Sequence, residues 1–271
     1  MTDLPLVTRR VIIRDMGKAG LALMVLGTAA CSGDTTGAST SSSVGGGSST
    51  SPGVDATTTS TAAGASTTTA AGTGYEWHRV TLDFVSAYIL YRSGEATIVD
   101  TGLGGSEGAI EAALGEIALG WGDVSGLVVT HLHPDHQGSV PAVIAATGES
   151  LPWFAGASDI AGIDAPTEGQ VVGDGDTVGI GLEIIETPGH TAGHISVLDS
   201  TAGVLVAGDA LNGANGGVAG PNADFSDDMG LANASVSKLA GFDYEVALFG
   251  HGEPVTAGAS GLVAELAESI G

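Results

Sequence analysis

The chain has 271 residues, of which 31 are Asp or Glu and only 7 are Lys or Arg, giving a formal net charge of −24. Nucleic acid is excluded as a partner by that balance, because its phosphates are bound by Lys and Arg replacing counterions. A lone cysteine, Cys31, excludes an internal disulfide framework, so the fold must rest on its apolar core.

Residues 1–31 have the layout of an export signal. Thr8, Arg9 and Arg10 open a basic segment, and the apolar run AGLALMVLGTAA follows it. That run is too short for a comfortable span, which needs about twenty residues, and the paired arginines fit the twin-arginine route. Cys31 stands directly after Thr28, Ala29 and Ala30, as the lipidated cysteine of a bacterial lipoprotein does. Thr28 departs from the leucine usual three residues before it, which leaves plain cleavage after Ala30 as the alternative. The expectation is a protein lipid-anchored through Cys31 on the outer face of the cytoplasmic membrane, or otherwise secreted. Membrane contact would come through that anchor alone. Residues 32–74 are almost wholly Ser, Thr, Gly and Ala without apolar periodicity, which predicts a disordered tether.

From Tyr75 the composition changes, and residues 75–271 suffice for one catalytic domain with a single core. WHRVTLDFVSAYILYR and ATIVD read as successive strands. Ser106 is placed to cap a helix whose Ile110, Leu114 and Ile117 share one face before Gly120 ends it. GLVVT, residues 126–130, is rich in β-branched side chains, the pattern of a strand buried on both faces. Further helices are expected in QGSVPAVIAAT, around Asp227 to Leu239, and in LVAELAESI. Trp153 and Phe154 read as strand core.

The segment HLHPDHQG after GLVVT carries the chemistry. His131 and His133 lie two apart, so in an extended segment leaving a strand both rings project to one side and can close on one ion. Asp135 and His136 point elsewhere, which suits a second ion. Three later candidates also follow strand-like runs and sit beside a glycine: His190 after GLEIIE, Asp209 in VLVAGDA and His251 in LFGHGEPV. Four strand ends thus converge on one edge. The loop after Asp209 is dense in Gly and Asn, and Leu211, Asn212, Phe225 and Met229 are expected to shape a small-molecule pocket at its rim.

These residues resemble the metallo-β-lactamase superfamily, whose ligands are HxHxDH followed by a histidine, an aspartate and a histidine on later loops. The resemblance implies a four-layer αβ/βα sandwich, where composition alone supports only mixed α and β. It implies that His131, His133 and His190 bind one metal, that Asp135, His136 and His251 bind a second, and that Asp209 bridges them. Asp135 is also the expected catalytic residue. Asp100 and His194 would support the ligands from behind, while His78 has no counterpart. Two divalent cations are implied. Nitrogen and oxygen ligands without cysteine suit Zn²⁺, and also accommodate Fe or Mn. Cations about 3.5–4 Å apart share a water and lower its pKa, so a bridging hydroxide is the implied nucleophile. The ligand set is similar to those of glyoxalase II and lactonases, and the expected reaction is hydrolysis of an ester, lactone or thioester. β-Lactamase-like or sulfur-oxygenating chemistry, and a non-catalytic binding protein at the envelope, are the alternatives.

Overall fold

The computed structural model describes residues 75–271; the expected export signal, Cys31 and the expected tether of residues 32–74 lie outside the described residues. Among the described residues no helix is long and apolar enough to cross a membrane.

The first sheet starts as a meander. β1 (Tyr75–Leu82), β2 (Val85–Arg92) and β3 (Glu95–Val99) pair antiparallel, and β4 (Val124–Val128), β5 (Trp153–Gly156) and β6 (Gln170–Val172) add in parallel, in the order β1-β2-β3-β4-β5-β6. Parallel neighbours need crossovers, and helices supply them: α1 (Glu107–Glu116) between β3 and β4, then α2 (Pro134–Gln137) and α3 (Val140–Thr147) between β4 and β5. The second sheet contains β7 (Thr177–Val178), β8 (Leu182–Glu186), β9 (Ile195–Asp199) and β10 (Val204–Gly208). A two-stranded ribbon, β11 (Asn212–Ala214) and β12 (Gly217–Ala219), and helix α4 (Met229–Leu239) then precede β13 (Val246–Phe249). β13 pairs parallel to β10, giving the order β13-β10-β9-β8-β7, and α5 (Ala259–Ile270) ends the chain.

Strand alternation explains how these elements stack. Leu127 and Val129 face a cluster with Ile110 and Leu114 of α1 and Val143 and Ile144 of α3, whereas Val128 faces the other way. On that side Val128 joins Tyr88 and Val99 against Ile184, Val197, Val206 and Leu248 of the second sheet. The alternate residues Ile185, Leu198, Leu205 and Phe249 meet Val236 and Leu239 of α4 and Val263 of α5. Three apolar clusters separate four layers, helix, sheet, sheet, helix, which is the αβ/βα sandwich expected. Trp153 and Phe154 lie in the first and second clusters as expected strand core.

Two local expectations differ. Ser106 does not cap α1 through its hydroxyl; instead its backbone N–H donates to Ser139 Oγ at 2.8 Å, tying α1 to the segment before α3. α1 also stops at Glu116, ahead of Gly120, with Ala118 at a left-handed φ of 60°.

Candidate metal centre

The carboxyl ends of β4, β8, β10 and β13 lie along one edge, and the candidate donors sit on the loops that leave them. Three groups of donor atoms each fall within 4.8 Å: His131, His133 and His190; His131, His136 and Asp209; Asp135, His136 and His251. Every candidate ligand from the sequence is therefore in one constellation. Asp209 lies between the flanking groups, with Oδ2 at 3.4 Å from His190 Nε2 and 3.3 Å from His251 Nε2, and Oδ1 at 3.4 Å from His136 Nε2. Asp135 Oδ2 is 3.4 Å from His251 Nε2.

The outer hydrogen bonds fix which ring nitrogen faces inward. Asp100 accepts from Thr130 N–H and Thr130 Oγ1–H, each at 2.8 Å, and from His136 Nδ1–H at 2.8 Å. Having donated to Asp100, the Thr130 hydroxyl accepts from His131 Nδ1–H at 3.0 Å. Ser226 donates to Asn222 O and accepts from His190 Nδ1–H at 3.3 Å, while His251 Nδ1–H donates to Phe84 O at 2.9 Å. Each of these four rings turns its Nε2 inward; His133 instead presents Nδ1. Outer acceptors of this kind set tautomer and orientation in metal-binding histidines.

The same arrangement tests whether a cation fits. His133 Nδ1 lies 3.0 Å from His131 Nε2 and 2.9 Å from His190 Nε2. One proton at most serves both contacts, so at least one of these close approaches between nitrogens has no proton of its own, and a cation would relieve the repulsion. His136 Nε2 and Asp209 Oδ1 are buried with no hydrogen-bond partner, and such groups call for an explanation, an ion being one. Imidazole nitrogens and carboxylates are the donors that divalent Zn, Fe or Mn takes. The residues fit a metal pair.

Electrostatics divide the cluster. Burial, reinforced by neighbouring rings, holds His131 well below its usual value, and burial likewise holds His190 at about 4. Contacts with the Asp135 and then the Asp209 carboxylates raise His251 to about 10. For His136 burial pulls down, but the charges of Asp100 and Asp209 outweigh it and the net shift is upward. Asp209 is buried, which alone would raise it, yet the surrounding histidines hold it well below the usual carboxylate range. The protein thus maintains negative charge between the rings, a field that attracts cations.

His194 lies outside the donor groups, as expected. Its Nε2 accepts from the Asp209 backbone N–H at 3.0 Å, so its Nδ1–H donates to Thr187 Oγ1 at 2.8 Å, and the chain continues through Ser196 Oγ to Ala207 O. Burial keeps this ring neutral, with its pKa lowered to about 3. It positions the Asp209 backbone. Gly208 makes that approach possible, since its φ is +57° and a Cβ there would stand 2.7 Å from His194 Nε2. Gly250 is required for space: a Cβ would strike Asp209 Oδ1 and the His136 ring.

Asp159 has a role that the sequence did not reveal. It is buried and accepts from Leu132 N–H in the HLH loop and from Thr191 Oγ1–H and Gly193 N–H in the loop carrying His190. One carboxylate therefore pins two ligand loops together. The only signal for it was a lone Asp after strand β5.

A cavity of about 620 Å³ opens over the donors. Asn212 and Phe225 line it as expected, together with Phe84, Leu103 and Asn222. Leu211 does not, since it is fully buried in the cluster beneath α4 and α5, and Met229 begins α4.

Comparison with known proteins agrees with this geometry. The chain is 37% identical over 123 residues to a hydroxyacylglutathione hydrolase of Rhodospirillum rubrum, covering 44% of each chain, so it spans under half the length of that relative. It is 27% identical over 236 residues to "Probable metallo-hydrolase YflN" of Bacillus subtilis, covering 68% of this chain and 88% of the relative. Among solved structures, a metallo-beta-lactamase family protein of Thermus thermophilus superposes with a TM-score of 0.57 at 24% identity, over 72% of this chain and 79% of that one. Metallo-beta-lactamase SMB-1 superposes with a TM-score of 0.59 at 19% identity, over 73% of this chain and 93% of that one. At these identities the two structures speak to the fold alone. The sequence pattern of the Metallo-beta-lactamase superfamily matches residues 80–251, a span that runs from β1 to His251 and takes in every donor described above; the chain belongs to that superfamily.

Proposed function

We propose that this protein is a metal-dependent hydrolase that opens an ester, lactone or thioester by addition of water. The observation carrying this reading is the inward convergence of five ring nitrogens and two carboxylates, four of the rings held by hydrogen bonds from outside, on the floor of an open cavity. His131, His133 and His190 would hold one cation, Asp135, His136 and His251 the other, with Asp209 between them. When bound, such cations lower the pKa of a coordinated water and polarise a carbonyl oxygen.

The remaining work belongs to the protein. Asp100, Thr130, Ser226 and the Phe84 carbonyl hold the rings in the tautomers that leave the inner nitrogens free. Asp135 lines the cavity, and its contact with His251 holds it below the usual carboxylate range, so it is ionised at neutral pH. That carboxylate is placed to take the proton released by the attacking water.

The test is turnover of a lactone, an aryl ester and a thioester by the full chain, with chelator and with zinc restored. Chelator-sensitive, zinc-restored hydrolysis is expected. His133→Ala removes a donor, not a core side chain, so it should abolish turnover with circular dichroism near native. Full turnover by that variant would refute the site.

A further inference from the structure

We infer that the substrate is an uncharged acyl ester, lactone or thioester with an apolar chain, gripped by Phe84, Leu103 and Phe225; this rests on the hydrolase reading above. Three observations carry it.

First, the cavity wall above the donors is apolar, and its apolar side chains stand in water. Phe84 is 57% exposed, Leu103 39% and Phe225 67%, three of the five large hydrophobic residues exposed among those described. They come from three separate segments: the turn between β1 and β2, the loop between β3 and α1, and the loop between β12 and α4. Exposed apolar side chains from unrelated segments meeting at one cavity mark a ligand surface, not scattered surface residues.

Second, the Phe84 ring is held in place. It stacks on His251 with centroids 6.0 Å apart and planes 4° from parallel, while the Phe84 carbonyl accepts from the same histidine. The apolar wall is therefore built onto the donor cluster, and a chain lying on it would present its acyl carbon to the floor.

Third, no described residue lining the cavity is Lys or Arg. The cations beyond residue 31 are Arg79, Arg92 and Lys238, and each is engaged elsewhere: Arg79 with Glu253 at 2.8 Å, Arg92 with Asp199 at 3.5 Å and Lys238 with Asp174 at 2.6 Å. A substrate tail carrying carboxylates, such as a glutathione thioester, finds no counter-charge on the wall. An uncharged chain needs none. In the reaction, water adds at the acyl carbon, the C–O or C–S bond breaks, and the proton from water passes to the departing oxygen or sulfur, giving an acid and an alcohol or thiol.

The experiment uses the full chain loaded with zinc, a series of uncharged thioesters from acetyl to decanoyl, and S-lactoylglutathione as the anionic comparator. kcat/KM should climb about two- to fourfold per added methylene while the chain still gains contact. Phe225→Ala and Leu103→Ala should each cut the decanoyl-to-acetyl preference about threefold or more, and Phe225→Arg should shift preference toward S-lactoylglutathione. A flat series, or a preference for S-lactoylglutathione in the unaltered chain, overturns the inference while the hydrolase reading stands. If nothing in the series turns over, and the lactone and aryl ester named above do not either, the hydrolase reading fails; in either case binding then decides the wall by itself. Calorimetric binding of 2-decanone, weakened in Phe225→Ala, supports it; no binding of 2-decanone overturns it.

Discussion

A histidine offers a metal only the nitrogen that its other hydrogen bond leaves bare, so the residues behind a metal site decide as much as the ligands do. Here the inner donors were legible in the sequence because HLHPDH is local and because His190, Asp209 and His251 each follow an apolar run. The residues behind them were legible in part. Asp100 and His194 stood near strand ends, but Asp159 shows its role only when two loops distant in sequence approach it. Removing that carboxylate with Asp159→Ala strands two backbone N–H groups and a hydroxyl in a buried place. It should destabilise the fold by about 1–3 kcal/mol or more and loosen metal binding in parallel, read by urea unfolding and competition with a chelating dye. A variant with unchanged stability and unchanged affinity would show that Asp159 pins nothing. Phe84 escaped sequence reading for a similar reason: its strand-turn position says nothing of the cavity it reaches.

At the scale of elements, two sheets with helices outside were implied by the resemblance to the superfamily, and the structure realises them through strand alternation, each buried strand offering one face to helices and one to the opposite sheet. Element ends were harder to place. α1 stops where Ala118 takes a left-handed conformation, which no residue preference at that position signals. The contact between β1 and α1 yields a pH effect. His78 is buried beneath Glu116, with Nε2 3.3 Å from its carboxylate and neither ring nitrogen hydrogen-bonded, and burial lowers its pKa below 6.5 despite the Glu116 charge. The folded state therefore refuses a proton that the unfolded chain accepts. His78 costs nothing above pH 6.5, and stability falls as pH drops from 6.5 through the lowered folded value. Unfolding free energies measured with chelator present should decline in that window for the unaltered chain and less steeply for His78→Leu. Equal slopes would mean that His78 titrates alike in both states.

Across the whole molecule the charge is lopsided, with 31 acidic residues against 7 basic ones. Like charges at this density oppose compaction, and salt screens them. The melting temperature of the metal-loaded chain should therefore rise between about 0.05 M and about 1 M NaCl, and a steady fall would show that attractive pairs dominate instead. The same negative field favours cations at the single edge where strands from both sheets deliver their donors, which is the central claim. Its most direct test is metal stoichiometry: strip the full chain with chelator, titrate zinc back, and follow bound metal and turnover together. The account predicts two equivalents bound per chain, with turnover returning as the site fills and neither seen in His133→Ala at the same zinc. No tight binding by the unaltered chain, or full turnover with the metal removed, would contradict it.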